Sequence, residues 1–283
     1  MVRSSWRSLK LLGLLLAATV DGRIVRRPQR GAEGAIWIHG WCKRIVRALD
    51  IECSVEGTLP SGGAVVSNHL SYLDILLYSA TTPFVMVAKS GLRSWPLLGW
   101  LTAQAATVYV NRSEDSIATD KRQTHAEVNR LMSEAYERGL PVLFFPEGTT
   151  TDGAEVLPFR RGLFHSVLQG GVPLRTAALQ FQIGDGNGEA MVAKDVCFVG
   201  DALFGPHIFG CLGLRGLRAR VRFGEEILTR EDRFQLSQSA RAAVAELYDE
   251  CCGMAATASI PEGQHEGSLI ERCKSHLHIR LNS

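Results

Sequence analysis

At 283 residues, with 46% hydrophobic and 21% charged side chains, the chain carries enough apolar material for a full single-domain core. Disorder, a collagen and a disulfide miniprotein are excluded, and a net charge of only +2 gives no global basic field that would recommend nucleic acid as a partner. The charge is uneven, because residues 1–50 hold ten Lys/Arg against Asp21, Glu33 and Asp50, so this segment is expected to seek a polyanionic surface.

Residues 9–20 are apolar apart from Lys10 and Thr19, too short a run for the roughly 20 residues that cross a bilayer comfortably. The run also matches a signal peptide, with small residues at Ala17 and Ala18. Against export stand Arg23, Arg26, Arg27 and Arg30 directly after it, since basic flanks tend to stay cytoplasmic. In the next segment Ile38, Trp41, Cys42, Ile45 and Leu49 recur at helical spacing while Lys43, Arg44 and Arg47 fall elsewhere. Two readings fit: a core-packing helix, or an interfacial one with Trp37 and Trp41 at headgroup depth and its cations toward anionic lipid.

From residue 57 the pattern alternates. Residues 64–67 predict a buried strand, 72–80 a helix, 84–88 and 106–110 strands, and 115–138 a helix stopped by Gly139. Strands at 141–145 and 174–181 enclose a short helix at 162–169; 219–223 alternates like a strand, and Thr229 with Asp232 opens a last helix ending near Cys252. Continuous apolar strands between helices imply an α/β domain with a mostly covered central sheet flanked by helices. The expected organisation is a basic, apolar, membrane-associating segment at 1–50, one catalytic domain at 51–254, and a mobile tail at 255–283.

Seven scattered cysteines, with no C-x-x-C pair, suit a reducing compartment better than a disulfide framework. Cys273, His276 and His278 lack a fourth ligand, so no metal is expected there. Serine-hydrolase, nucleotide-binding and zinc-protease signatures are missing.

What stands out is Asn68-His69-Leu70-Ser71-Tyr72-Leu73-Asp74 at the end of an apolar strand. Strand ends are where α/β proteins place their ligand crevice, and an imidazole oriented by a carboxylate can take a proton from an alcohol near neutral pH. Five residues of regular helix would put the two side chains on different faces, so His69 belongs in the turn and Asp74 in the first helical turn. Ser71 and Asp74 also fit a capping box, in which the carboxylate merely closes the helix start. Phe145-Pro146-Glu147-Gly148-Thr149 and Val110-Asn111-Arg112 leave two further strands, and all three clusters would meet on one sheet edge if the strands are parallel.

Together these segments resemble the glycerolipid acyltransferase family, whose best-known members act on 1-acyl-sn-glycerol-3-phosphate. Asn68, His69 and Asp74 match its N-H-x-x-x-x-D motif, Arg112 its arginine-bearing second motif, residues 145–149 its F-P-E-G-T motif and Pro173 its proline motif. The resemblance implies that His69 is the general base and Asp74 its orienter, and that Asn68, Arg112, Glu147, Gly148 and Thr149 bind the acceptor. Lys89, at the end of the strand at 84–88, is a further phosphate candidate or a solvated surface lysine.

The implied reaction moves a fatty acyl group from acyl-CoA or acyl-acyl-carrier protein to a lysophospholipid hydroxyl. It needs no cofactor, because a thioester is already activated, and it takes place at the cytoplasmic face of a membrane. Thr150 stands where many members carry an arginine, and Arg160 or Arg161 is a candidate replacement. That departure leaves lysophosphatidate, lyso-ornithine lipid or a larger headgroup open as acceptor. A thioesterase-like hydrolase and a non-enzymatic lipid-binding module remain the rival classes. Residues 91–101, apolar and aromatic, would dip into lipid, line an acyl slot or pack internally.

Overall fold

The computed structural model describes residues 1–110, 118–227, 232–258 and 279–280. In chain order the elements are α1 (Val2–Val20), α2 (Ala32–Ala48), β1 (Glu52–Glu56), β2 (Ala64–Ser67), α3 (Leu73–Thr81), β3 (Val85–Lys89), α4 (Leu98–Gln104) and β4 (Val108–Val110). They continue as α5 (Ala118–Glu137), β5 (Val142–Phe144), α6 (Phe164–Gly170), β6 (Leu174–Gln182), α7 (Phe204–Cys211), β7 (Arg218–Ile227), α8 (Arg233–Ala258) and β8 (Ile279–Arg280).

Strands as apolar as Ala64-Val65-Val66 and Val142-Leu143-Phe144 cannot leave either face in water, and every one of these six side chains is buried. They sit side by side at the centre of a sheet ordered β4-β3-β5-β2-β6-β7-β1-β8. β4, β3, β5, β2 and β6 are mutually parallel, which brings all their C-terminal ends to one edge. β7 turns antiparallel to β6, and β1 joins β7 in parallel. Helix α8 lies over β6, β7 and β2, while α2 packs against α3. Phe144 and Phe164, both fully buried, meet edge to face at 5.5 Å, and each such ring contributes roughly 1.5–3 kcal/mol by leaving water.

The expected strands and helices between residues 64 and 223 are all present, with ends displaced by a few residues. Gly139, at φ +73°, stops α5 as its position predicts. Four elements had gone unread, one of them β8, which pairs antiparallel with β1 inside the tail expected to be mobile. β1 carries Glu at both ends and is held by ion pairs across the ladder to β7, Glu52 to Arg218 at 3.1 Å and Glu56 to Arg220 at 3.4 Å. α4 falls inside the apolar 91–101 segment and its continuation, and α7 lies in a stretch with no clear periodicity. The last helix starts at Asp232, whose Oδ1 accepts the N–H groups of Phe234 and Gln235, and it runs past Cys252 to Ala258. Thr229 and most of the expected mobile tail, including Cys273, His276 and His278, lie outside the described residues.

The N-terminal helices fold onto the body. The backbone of α2 comes so near α4 that a Cβ on Gly34 would lie 1.9 Å from the Gln104 carbonyl oxygen, a crossing only glycine permits. Arg7 is buried, contrary to a reading of all ten N-terminal cations as free for a surface: it donates to the Leu214 carbonyl at 3.0 Å and pairs with Asp50 at 3.1 Å. Trp37 is also buried and, with Trp41, donates its indole N–H to Asp21, at 2.8 and 3.0 Å. The stripe Ile38, Trp41, Cys42, Ile45 and Leu49 faces an apolar cavity, as the core-facing reading of α2 expects, and Trp37 is packed inside the protein while Trp41 is half-buried. Among the described residues no helix is long and apolar enough to cross a membrane.

Candidate active site

The turn between β2 and α3 is built around one carboxylate oxygen. Asp74, in the first turn of α3 and wholly buried, accepts three hydrogen bonds at Oδ2: from His69 Nδ1 at 2.8 Å, from the Leu70 N–H at 2.7 Å and from the Ser71 N–H at 3.0 Å. The capping and orienting readings of Asp74 are therefore both physically present and share an atom. The capping box is incomplete, because Ser71 Oγ has no hydrogen-bond partner among the described residues. With a carboxylate facing Nδ1, the neutral ring carries its proton there and presents Nε2 as a base. The imidazole also stacks on Phe145 at the end of β5, with ring centres 4.0 Å apart and planes 10° from parallel. One side chain from the first turn of α3 and one from the end of β5 thus fix the ring in both its plane and its tilt.

Glu147 secures the same turn from behind. It is only 3% exposed, its Oε1 accepts the His69 N–H at 2.7 Å, and its Oε2 accepts the Leu157 N–H at 2.9 Å. Burial pushes its carboxyl above the usual carboxylate range, and those two backbone donors pull it partly back. Asn68 is buried likewise: its amide donates to the Leu179 carbonyl and accepts the Leu179 N–H, both at 2.9 Å, tying β2 to β6 beyond the strand ladder. Both residues, expected among the acceptor contacts, spend their polar atoms on backbone around His69.

Gly148 is half-buried with φ +79°, and Thr149 is exposed beside it. Lys89, at the C-terminal end of β3 on the same sheet edge, is exposed. Arg112 lies outside the described residues. The convergence of strand ends expected from the sequence is present for the His69 and Glu147 clusters, while the third, after β4, runs into Arg112 outside the described residues. Sequence reasoning missed Phe145 as a stacking partner, and it missed the Leu70 carbonyl accepting the Phe198 N–H at 2.8 Å, a contact between segments 128 residues apart that no local pattern announces.

A cavity of about 510 Å³ opens next to this turn. Tyr72 and Leu73, inside the His69 to Asp74 loop, form part of its wall; Leu11 and Leu15 of α1, Ile45 of α2 and Leu98 of α4 form others. The lining is almost wholly apolar, and residues 91–101 contribute Leu92, Trp95, Leu98 and Leu101 to it, which places that segment as a slot wall rather than a detached lipid finger.

The family description "Acyltransferase" matches residues 50–180. A lyso-ornithine lipid O-acyltransferase of Pseudomonas aeruginosa is 35% identical over 208 residues, covering 72% of this chain and 75% of its own. A 1-acyl-sn-glycerol-3-phosphate acyltransferase of Neisseria meningitidis is 32% identical over 214 residues, covering 72% and 79%. The crystal structure of the 1-acyl-sn-glycerophosphate acyltransferase from Thermotoga maritima superposes with a TM-score of 0.60 over 87% of this chain and 98% of that one; at 18% identity it bears on the fold alone. With a histidine and an aspartate paired in a loop whose Tyr72 and Leu73 line an apolar slot, the chain belongs to the acyltransferase family and is an O-acyltransferase.

Proposed function

We propose that the protein transfers a fatty acyl group from a thioester donor, acyl-CoA or acyl-acyl-carrier protein, to the free hydroxyl of a lysophospholipid, with 1-acyl-sn-glycerol-3-phosphate as the leading acceptor. The observation that carries this reading is the His69 ring, pinned through Nδ1 to Asp74 in a loop whose Tyr72 and Leu73 line a slot apolar enough for an acyl chain. His69 Nε2 takes the hydroxyl proton while the oxygen bonds to the thioester carbonyl carbon. The carbon–sulfur bond then breaks, and the thiolate leaves with the proton that the imidazolium returns. General-base assistance supplies typically about 10²–10⁴ in rate, and positioning and oxyanion stabilisation supply the rest. Asp74 steadies the imidazolium; Asn68 and Glu147 hold the loop; Lys89, Arg112, Gly148 and Thr149 are assigned to the acceptor side. No metal or bound cofactor is needed.

Membrane attachment belongs to the same reading. One side of α1 lines the cavity, yet its other side leaves Trp6, Leu9, Leu16 and Val20 exposed, and an apolar surface of that kind calls for cover. Lys10, Arg23, Arg27 and Arg30 flank that surface and suit the anionic cytoplasmic leaflet.

A second acceptor is favoured by one observation. Thr150, in the place of the family's usual arginine, turns its hydroxyl to the Phe198 carbonyl, which suits a headgroup other than a bare phosphate, as in a lyso-ornithine lipid. A panel of lysolipids with a single acyl donor decides: the highest kcat/KM is expected on lysophosphatidate. Higher activity on an acceptor lacking phosphate would replace that assignment, and thiol release independent of any lysolipid would make the protein a thioesterase.

A further inference from the structure

Thr150 leaves the rim short of a cation where an anionic headgroup would lie, and the structure offers one from a neighbouring loop. Arg160 is exposed and is held at its base by its N–H to the Pro146 carbonyl at 2.8 Å, the residue immediately before Glu147. From there its side chain crosses directly over Gly148: a Cβ at that glycine would lie 2.6 Å from Arg160 Nε and 2.8 Å from Cδ. The glycine of the F-P-E-G-T segment therefore serves a close approach as well as its positive φ. Any side chain there would lift the guanidinium off the turn whose Glu147 holds the His69 backbone.

Arg161, its chain neighbour, goes elsewhere and places its guanidinium 5.2 Å from the Phe234 ring centre on α8. Among the described residues no ion pair joins Arg160 to a carboxylate, whereas Arg175, Arg218, Arg220 and Arg222 are all paired. A guanidinium can grip phosphate or carboxylate with two parallel N–H donors, which a lysine cannot.

We infer that Arg160 is the residue that binds the anionic group of the acceptor headgroup, taking over the role that Thr150 has vacated. This rests on the lysolipid acyltransferase reading above. Phosphate and carboxylate are the shared chemistry it would recognise, and the donor's own phosphates are the competing source of such an anion.

The test uses the full chain with lysophosphatidate and lyso-ornithine lipid as acceptors, and acceptor and donor concentrations varied separately. Arg160→Gln should raise the acceptor KM roughly tenfold to a hundredfold, the scale of a lost charge-assisted hydrogen bond, with kcat and the donor KM nearly unchanged. Arg160→Lys should recover part of the loss, and Arg161→Gln should leave the acceptor KM where it was. An unchanged acceptor KM in Arg160→Gln, or a rise confined to the donor KM, overturns the assignment of Arg160 while wild-type turnover keeps the enzymatic reading intact. Wild-type protein inactive on every lysolipid overturns both.

Discussion

The rim of the site and the wall of the slot beside it are held by different forces. At the rim, Asn68, His69, Asp74 and Glu147 are fixed by hydrogen bonds between 2.7 and 3.0 Å, nearly all to backbone or to one another. Along the wall, α1 is held by Arg3 and Arg7 to Asp50 and by Arg7 to Leu214, and α2 by Asp21 with the two tryptophans and by His39 to the Ser79 carbonyl, while the lining of the slot itself is almost wholly apolar. Directional bonds define one geometry for a proton transfer that tolerates little misplacement. Apolar packing defines a volume, and a volume accommodates chains that differ by a methylene at a cost of only about 0.8 kcal/mol each. Under the proposed function, the rim carries the chemistry and the wall selects chain length.

Breaking the rim should cost most. His69→Ala is expected to lower kcat/KM by at least about a hundredfold, the range of a lost general base. Fully retained turnover would move the chemistry elsewhere. Filling the wall should do something different in kind: Leu76→Trp, at a half-buried position lining the cavity, should reduce activity on long acyl chains several-fold while sparing short ones. A uniform loss across chain lengths would mean that the acyl group lies elsewhere.

The rim was legible in the sequence because it is made of short, contiguous strings. Asn68 to Asp74 and Phe145 to Thr149 each follow a buried strand, so parallel strands alone bring them together. The wall was legible only in part. The stripe on α2 was visible as helical spacing, but whether it faced lipid or protein depended on α1, α4 and α7 closing over it, and α7 shows no pattern of its own. Nor does spacing reveal that Asn68 and Glu147 turn their polar atoms to the backbone of Leu179, His69 and Leu157, because those partners are set by tertiary packing. The charge count misled for Arg7, whose guanidinium the fold buries.

The smallest expected effect sharpens the comparison from the stability side. The Glu147 carboxyl is raised by burial, so its folded form binds a proton more tightly than the unfolded chain does. Its contribution to stability is full below the unfolded value and is lost as pH rises through the folded one. Glu147→Gln should flatten that part of the stability curve in denaturant melts at a series of pH values. An unchanged slope would assign the pH dependence to other groups.

The most direct measurement of the central claim mixes excess protein with an acyl thioester in the absence of lysolipid, following free thiol and the intact protein mass, and then adds the acceptor. If His69 activates the acceptor's hydroxyl for direct attack, neither thiol nor an acylated protein forms until lysolipid is added. Thiol and acylated lipid then form together in the wild type and fall at least about a hundredfold in rate in His69→Ala. Thiol release or an acyl adduct on the protein before the acceptor arrives would contradict the account.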